Sequence, residues 1–311
     1  MKKLAYVVLG VFILVFLWNS ILFAQNQQLP DEKSVYQVIQ EIAPLLDKEI
    51  KKEVDPILKK VKKDISQEAV KIVENSSKII ELLDKKQKDD ALSLIETNIG
   101  KLEILLKEYP EISFLPVSVE ARVIETITYL DLIKKDKELA KSLIEKGYLQ
   151  DARHLLEGMV SEINIQEKNL PLITYPDALS MAAVLTKKGE FDKAKNVIQE
   201  ALNALIIKEN IIPLPLVRAQ VILKKVLAML KEKDIQKDKI LRYVGVADYE
   251  ITVAEELGYG KRGEEFKDIH DRIKEIKQKI SENQESKGLL NELMKKINNF
   301  KEKIFNKKEE K

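Results

Sequence analysis

The chain has no cysteine and only two histidines among its 311 residues. The first absence excludes disulfide staples, thiolate nucleophiles and Cys-ligated zinc or iron–sulfur centres. The second leaves His154 and His270 on separate predicted helices without ligand spacing, so they read as surface or core histidines and no metal site is expected. Aromatic residues make up 6% of the chain, and with Lys, Glu, Ile and Leu abundant this scarcity favours helix over strand. Neither sign of charge is in excess, with 53 basic residues against 51 acidic ones. A chain neutral as a whole is not drawn to a phosphate backbone, so no nucleic-acid partner is expected.

What is present begins at the N-terminus. Lys2 and Lys3 precede an uncharged, largely apolar run over residues 4–24, and no acidic residue comes before Asp31. This pattern reads as an export signal cleaved after Ala24. As a helix the run is about 30 Å long at 1.5 Å per residue, so an uncleaved anchor in the inner membrane is the alternative. Both readings place the body in the periplasm or cell envelope. Residues 25–64 read as a linker and short N-terminal helices, because Pro44 and Pro56 interrupt the apolar stripe of Val35, Val38, Ile42 and Leu46.

Beyond that point the spacing of apolar residues is helical nearly throughout. Residues 65–83 and 89–108 form two such stripes and are expected to pair as an antiparallel hairpin. An internal repeat follows. Lys146-Gly147-Tyr148-Leu149-Gln150-Asp151-Ala152 aligns with Lys188-Gly189-Glu190-Phe191-Asp192-Lys193-Ala194, and Asp90-Ala91 opens a degraded third copy without its glycine. In each full copy glycine can end a helix in the left-handed conformation, Leu149 or Phe191 is expected to plug the turn, and the alanine admits a close helix partner.

Three proline segments recur before helix pairs: Leu115-Pro116-Val117, Leu170-Pro171-Leu172 and Ile212-Pro213-Leu214-Pro215-Leu216. Each is expected to be extended and to deliver the chain into a helix. Thr174 with Asp177 three residues on marks a helix start. The Ile-rich stretches 162–166 and 205–211 suggest short strands that pair with each other. The fold class is therefore nearly all-α, built of helical hairpins in irregular repeats, with one short two-stranded β-ribbon. The blocks are 65–260 as the helical domain and 261–311 as C-terminal helices with a basic amphipathic end.

Several stretches resemble the YfdX family of bacterial envelope proteins: Ile99-Gly100-Lys101-Leu102-Glu103, residues 169–179 reading NLPLITYPDAL, residues 211–220 reading IIPLPLVRAQ, and Leu257-Gly258-Tyr259-Gly260. The resemblance spans roughly residues 65–260. It implies an exported helical protein linked to acid or other envelope stress, with chaperone-like or small-molecule binding and no catalytic residues to carry over. The Lys-Gly units also look like the second helix of tetratricopeptide repeats, although their spacing is irregular.

Motifs for chemistry are few. Gly258-Tyr259-Gly260-Lys261-Arg262-Gly263 matches the dinucleotide pattern letter for letter, but a predicted helix precedes it where that motif needs a strand, so it reads as helix termination. No Walker sequence or nucleophile elbow is present, and neither a catalytic residue nor a cofactor is expected. Tyr175, Asp177, Arg218 and Gln220 are the candidate ligand-binding residues, polar groups beside apolar proline segments and expected to converge between helix pairs. Capping and core hydrogen bonds are the competing account. Residues 287–311 carry eight Lys and four Glu beside an apolar stripe, which suits either an anionic membrane surface or a helix covering the core. The expected function is an exported, non-catalytic helical binding protein for a protein client or an apolar small molecule. A membrane-anchored oligomeric scaffold is the alternative, with homo-oligomerisation as the partner reading that accompanies it.

Overall fold

In a computed structural model the residues described are 29–125, 129–260 and 263–306. The expected signal or anchor at residues 4–24 lies outside them. Among the described residues no helix is long and apolar enough to cross a membrane.

Eleven helices and three strands follow one another along the described chain. They are α1 Glu32–Asp64, α2 Gln67–Asp84, α3 Lys88–Glu108, β1 Phe114–Glu125, α4 Leu130–Glu145, α5 Leu149–Glu157 and β2 Ser161–Pro171. Then come α6 Tyr175–Lys187, α7 Phe191–Asn203, β3 Ile206–Pro213, α8 Leu214–Met229, α9 Lys237–Glu256, α10 Glu264–Ser281 and α11 Lys287–Phe305. The fold is predominantly α with one small antiparallel sheet of order β1-β2-β3.

The chain forms two compact units. The smaller comprises Lys51–Arg122 and Asn164–Ile211; the larger comprises the rest of the described residues. The division cuts across the sequence block 65–260, and the chain passes between units within α1 and within each strand.

The smaller unit is a ring of four helices in which α2 packs on α3, α3 on α6, α6 on α7 and α7 back on α2. Its core is a stripe from each helix, including Ile72, Ile79 and Leu83, Ala91, Ile95 and Leu102, Leu179 and Ala182, and Ala194 and Ile198. The larger unit holds a second ring, with α8 on α9, α9 on α10, α10 on α11 and α11 on α8, and with the α4–α5 hairpin against α9. The amphipathic last helix turns Leu290, Leu293, Ile297 and Phe300 inward.

The repeated turn is realised three times. Gly147 and Gly189 take φ of +83° and +77°, and Lys86 fills the same place in the degraded copy at +56°. Each turn closes with the same pair of bonds: Gly147 N–H donates to Ile144 and Tyr148 N–H to Leu143, Gly189 to Thr186 and Glu190 to Leu185, Lys86 to Leu83 and Gln87 to Leu82. These bonds satisfy helix carbonyls that would otherwise lack a partner. Ala91, Ala152 and Ala194, five residues past each turn residue, are all buried.

Three expectations need correction. Residues 32–64 form one helix and not several, because Pro44 and Pro56 lie where the helix is exposed to solvent. The ribbon has three strands: residues 114–125 continue past Pro116 as an edge strand, which tolerates a missing amide, instead of leading straight into a helix. Leu149 does not plug its turn but stands 59% exposed, whereas Phe191 is half-buried against the smaller unit's core.

Candidate functional site

The four candidate residues fall into two groups, one in each unit. Tyr175 and Asp177 open α6 in the smaller unit, where Pro171 ends β2 and Pro176 occupies the first helical turn. Thr174 is the N-cap but makes no side-chain capping bond. The Tyr175 ring enters the bundle core, where burial raises its pKa and nearby Ser76 partly offsets this. Its hydroxyl has no hydrogen-bond partner, and the nearby Ser76 hydroxyl donates to the Ile72 carbonyl at 2.8 Å. Asn98 completes this polar patch, accepting from Asn75 at 2.8 Å and donating to the Ile72 carbonyl at 3.0 Å. Tyr175 therefore belongs to the packing of the ring.

Asp177 points the other way, to solvent. Exposed with it are Ile173, Met181 and Val184, at 66%, 59% and 51%. Positions 177, 181 and 184 share one helical face, so α6 carries Met181 and Val184 beside a single carboxylate, with Ile173 exposed in the turn before it.

Arg218 and Gln220 lie on α8 in the larger unit, whose first ten residues are all buried. Gln220 donates to the Met294 carbonyl of α11 at 3.3 Å, a tie between two helices. The Arg218 guanidinium is 2% exposed; it donates to Glu125 at the end of β1 and stands 3.6 Å from Glu250 of α9. Glu250 is itself 1% exposed, and neither its carboxylate oxygens nor the Arg218 Nε has a hydrogen bond. Burial pushes the Glu250 carboxyl up to about 7 against the pull of Arg218, and the charge of Glu125 adds to the rise. Near neutral pH this glutamate is divided between its charged and neutral forms.

Sequence reasoning passed over Glu250 as one carboxylate among many, yet a signal was there. Its neighbours three and four residues away are Val246, Ala247, Val253 and Ala254, which places it on an apolar helical face. It also passed over His270. The ring contacts Asp248 at 2.6 Å, and Lys277 donates to the same carboxylate at 2.8 Å. Burial lowers the His270 pKa, but the bond to Asp248 and the charges of Asp248 and Glu255 outweigh it and leave a net rise. His154 lies exposed on α5. Among the described residues no group of three or more His, Cys, Asp or Glu is placed to hold a metal ion.

The Gly258-to-Gly263 stretch follows a helix. Gly258 and Gly260 have φ of +84° and +104°, and a Cβ on Gly260 would meet the Phe300 ring at 2.6 Å. Tyr259 donates to Glu162 at 3.0 Å and accepts the Ser161 amide at 2.8 Å. The stretch stops α9 and seats α11; Lys261 and Arg262 lie outside the described residues. A cleft of about 480 Å³ runs between α10 and α11, where Asp268 pairs with Lys296 and Glu265 with Lys303.

No curated protein matches the chain. A solved structure of Salmonella Typhi YfdX is similar at 12% identity, with a TM-score of 0.33 over 48% of this chain and 93% of the other. The family model described as YfdX protein matches residues 72–211, from within α2 to within β3. That match ends at the first residue of the 211–220 stretch and before residues 257–260. Over residues 72–211 the chain is thus similar to the YfdX family.

Proposed function

We propose that the protein is a non-catalytic binding protein of the cell envelope that holds apolar segments of protein clients on the solvent face of α6. The observation that carries this reading is the exposed apolar patch of Met181 and Val184 on α6 and Ile173 just before it, with Asp177 among them, inside the segment that the YfdX family model matches. Isolated exposed apolar residues are ordinary, but Met181 and Val184 are neighbours on one helical face with Ile173 exposed just before the helix, and methionine adapts to varied partners. Lys2 and Lys3 before the apolar run 4–24 support export, and the link to envelope stress follows from the resemblance.

The test uses reduced insulin, whose B chain aggregates, as client. The wild-type chain suppresses light scattering, and a Met181→Glu, Val184→Glu variant loses most of that suppression with unchanged helical circular dichroism. A wild-type chain that leaves the scattering untouched defeats the proposal. The anchored, oligomeric scaffold remains as a second reading, favoured by a different exposed surface, on the α4–α5 hairpin.

A further inference from the structure

The three copies of the repeated turn differ in what covers them. Counting from the turn residue, the side chain three positions before it and the one nine positions after it are Leu83 and Ile95 in α2–α3, and Thr186 and Ile198 in α6–α7. Leu83 is 2% exposed and the other three are 0%. The same positions of α4–α5 are Ile144 and Leu156, which are 49% and 45% exposed. The buried alanine five past the turn is common to all three, so each hairpin is closed upon itself. What α4–α5 lacks is cover over its outer positions.

In the smaller unit that cover is another hairpin of the same kind. There α2 packs on α7 and α3 on α6, so the first helix of each hairpin lies on the second helix of the other. This exchange is reciprocal, and two identical hairpins satisfy it by a two-fold rotation. The apolar side chains Leu132, Leu139, Tyr148 and Leu149 are also exposed on α4–α5. In α2 the positions matching Leu132 and Leu139 are Lys71 and Lys78, which face solvent.

Charge agrees with self-pairing. Residues 130–157 contain six basic and six acidic side chains, a balance that draws neither an anionic membrane nor an acidic partner. Across the smaller unit's ring, Asp84, two before its turn residue, pairs with Lys195, six after, at 2.7 Å. The equivalents in α4–α5 are Glu145 and Arg153, again of opposite sign. The ring's other pair, Lys187 with Glu96 at 3.8 Å, has Glu145 and Glu157 as its equivalents, so Arg153, which already contacts Glu157 at 2.7 Å, would stand between two carboxylates.

We propose that the α4–α5 hairpin pairs with the same hairpin of a second copy of this chain, α4 on the partner's α5, and so rebuilds between two molecules the four-helix ring that α2, α3, α6 and α7 make within one. The pairing is independent of client binding on α6.

Sedimentation of the full chain over a concentration series tests it. The wild type sediments as a dimer that dissociates on dilution, while Ile144→Glu and Leu156→Lys each sediment as monomers with wild-type circular dichroism. Both positions are exposed, so both variants fold. An equimolar mixture of the two recovers the dimer, because Glu at 144 of one copy meets Lys at 156 of the other while the second contact keeps its native pair. A control Ile207→Glu, on β3, leaves the mass unchanged. A monomeric wild type, dimers that survive both substitutions, or a mixture that stays monomeric would overturn the proposal. Insulin scattering measured on the monomeric variants separates this result from the client-binding reading.

Discussion

The guanidinium of Arg218 lies 3.6 Å from the carboxylate of Glu250, and both side chains are sealed from solvent in the larger unit. Removing the cation alone leaves a buried carboxylate facing apolar surroundings. Arg218→Ala is therefore expected to destabilise the fold by about 3–5 kcal/mol at pH 8. The loss shrinks near pH 5, where Glu250 is protonated. Urea unfolding at the two pH values measures it, and an equal loss at both would show that Arg218 acts through packing alone.

Glu250 itself makes the fold pH-dependent. Its carboxyl is raised to about 7 from the ordinary value of 4.5, so the folded chain holds this proton more tightly than the unfolded one. Its contribution is favourable at low pH and declines as pH rises from about 4.5 to about 7, by on the order of 3 kcal/mol. In Glu250→Gln that decline is absent. Thermal unfolding of variant and wild type from pH 4.5 to 8 should show the variant gaining relative stability as pH rises; parallel curves would refute the assignment.

His270 has a dependence of the same sign. Its pKa is raised, as burial is outweighed by the bond and charge of Asp248. The stabilisation is fully present below the unfolded histidine's value and is lost as pH rises through the folded one. His270→Ala is expected to cost about 1 kcal/mol at pH 5.5 and less at pH 8. Proton NMR titration of the ring reads the shift directly, and a midpoint at or below that of a free histidine would contradict it.

The turn residues differ in strain. Lys86 occupies a left-handed position that Gly147 and Gly189 fill without a Cβ. Lys86→Gly should raise stability by up to about 1 kcal/mol, reduced by the greater freedom glycine gives the unfolded chain. Gly260→Ala should lower it by about 2 kcal/mol, since its φ is +104° and its Cβ would strike Phe300. Calorimetric melting of the two variants tests both signs.

Local pattern determined a good deal by itself. The spacing of Ile72, Ile79 and Leu83 or of Ala194 and Ile198 is enough to place a helix and its inner face, because a helix repeats every 3.6 residues whatever it packs against. The glycine turns were legible for the same reason: only residues 146–152 and 188–194 need to be read to see them. The degraded copy at Lys86 and the pairing of β2 with β3 were also within reach.

Tertiary structure decided what local pattern leaves open. Pro44 and Pro56 are tolerated in α1 because their faces are solvated, and β1 exists because a partner strand lay far along the chain. Tyr175 and Arg218 sit beside similar proline segments but belong to different units, while Arg218 meets Glu250, thirty-two residues away. The bare outer positions of α4–α5 and the covered ones of α2–α3 and α6–α7 carry much the same sequence. Burial is a property of the neighbours that arrive, and those neighbours are set by the whole chain rather than by any segment of it.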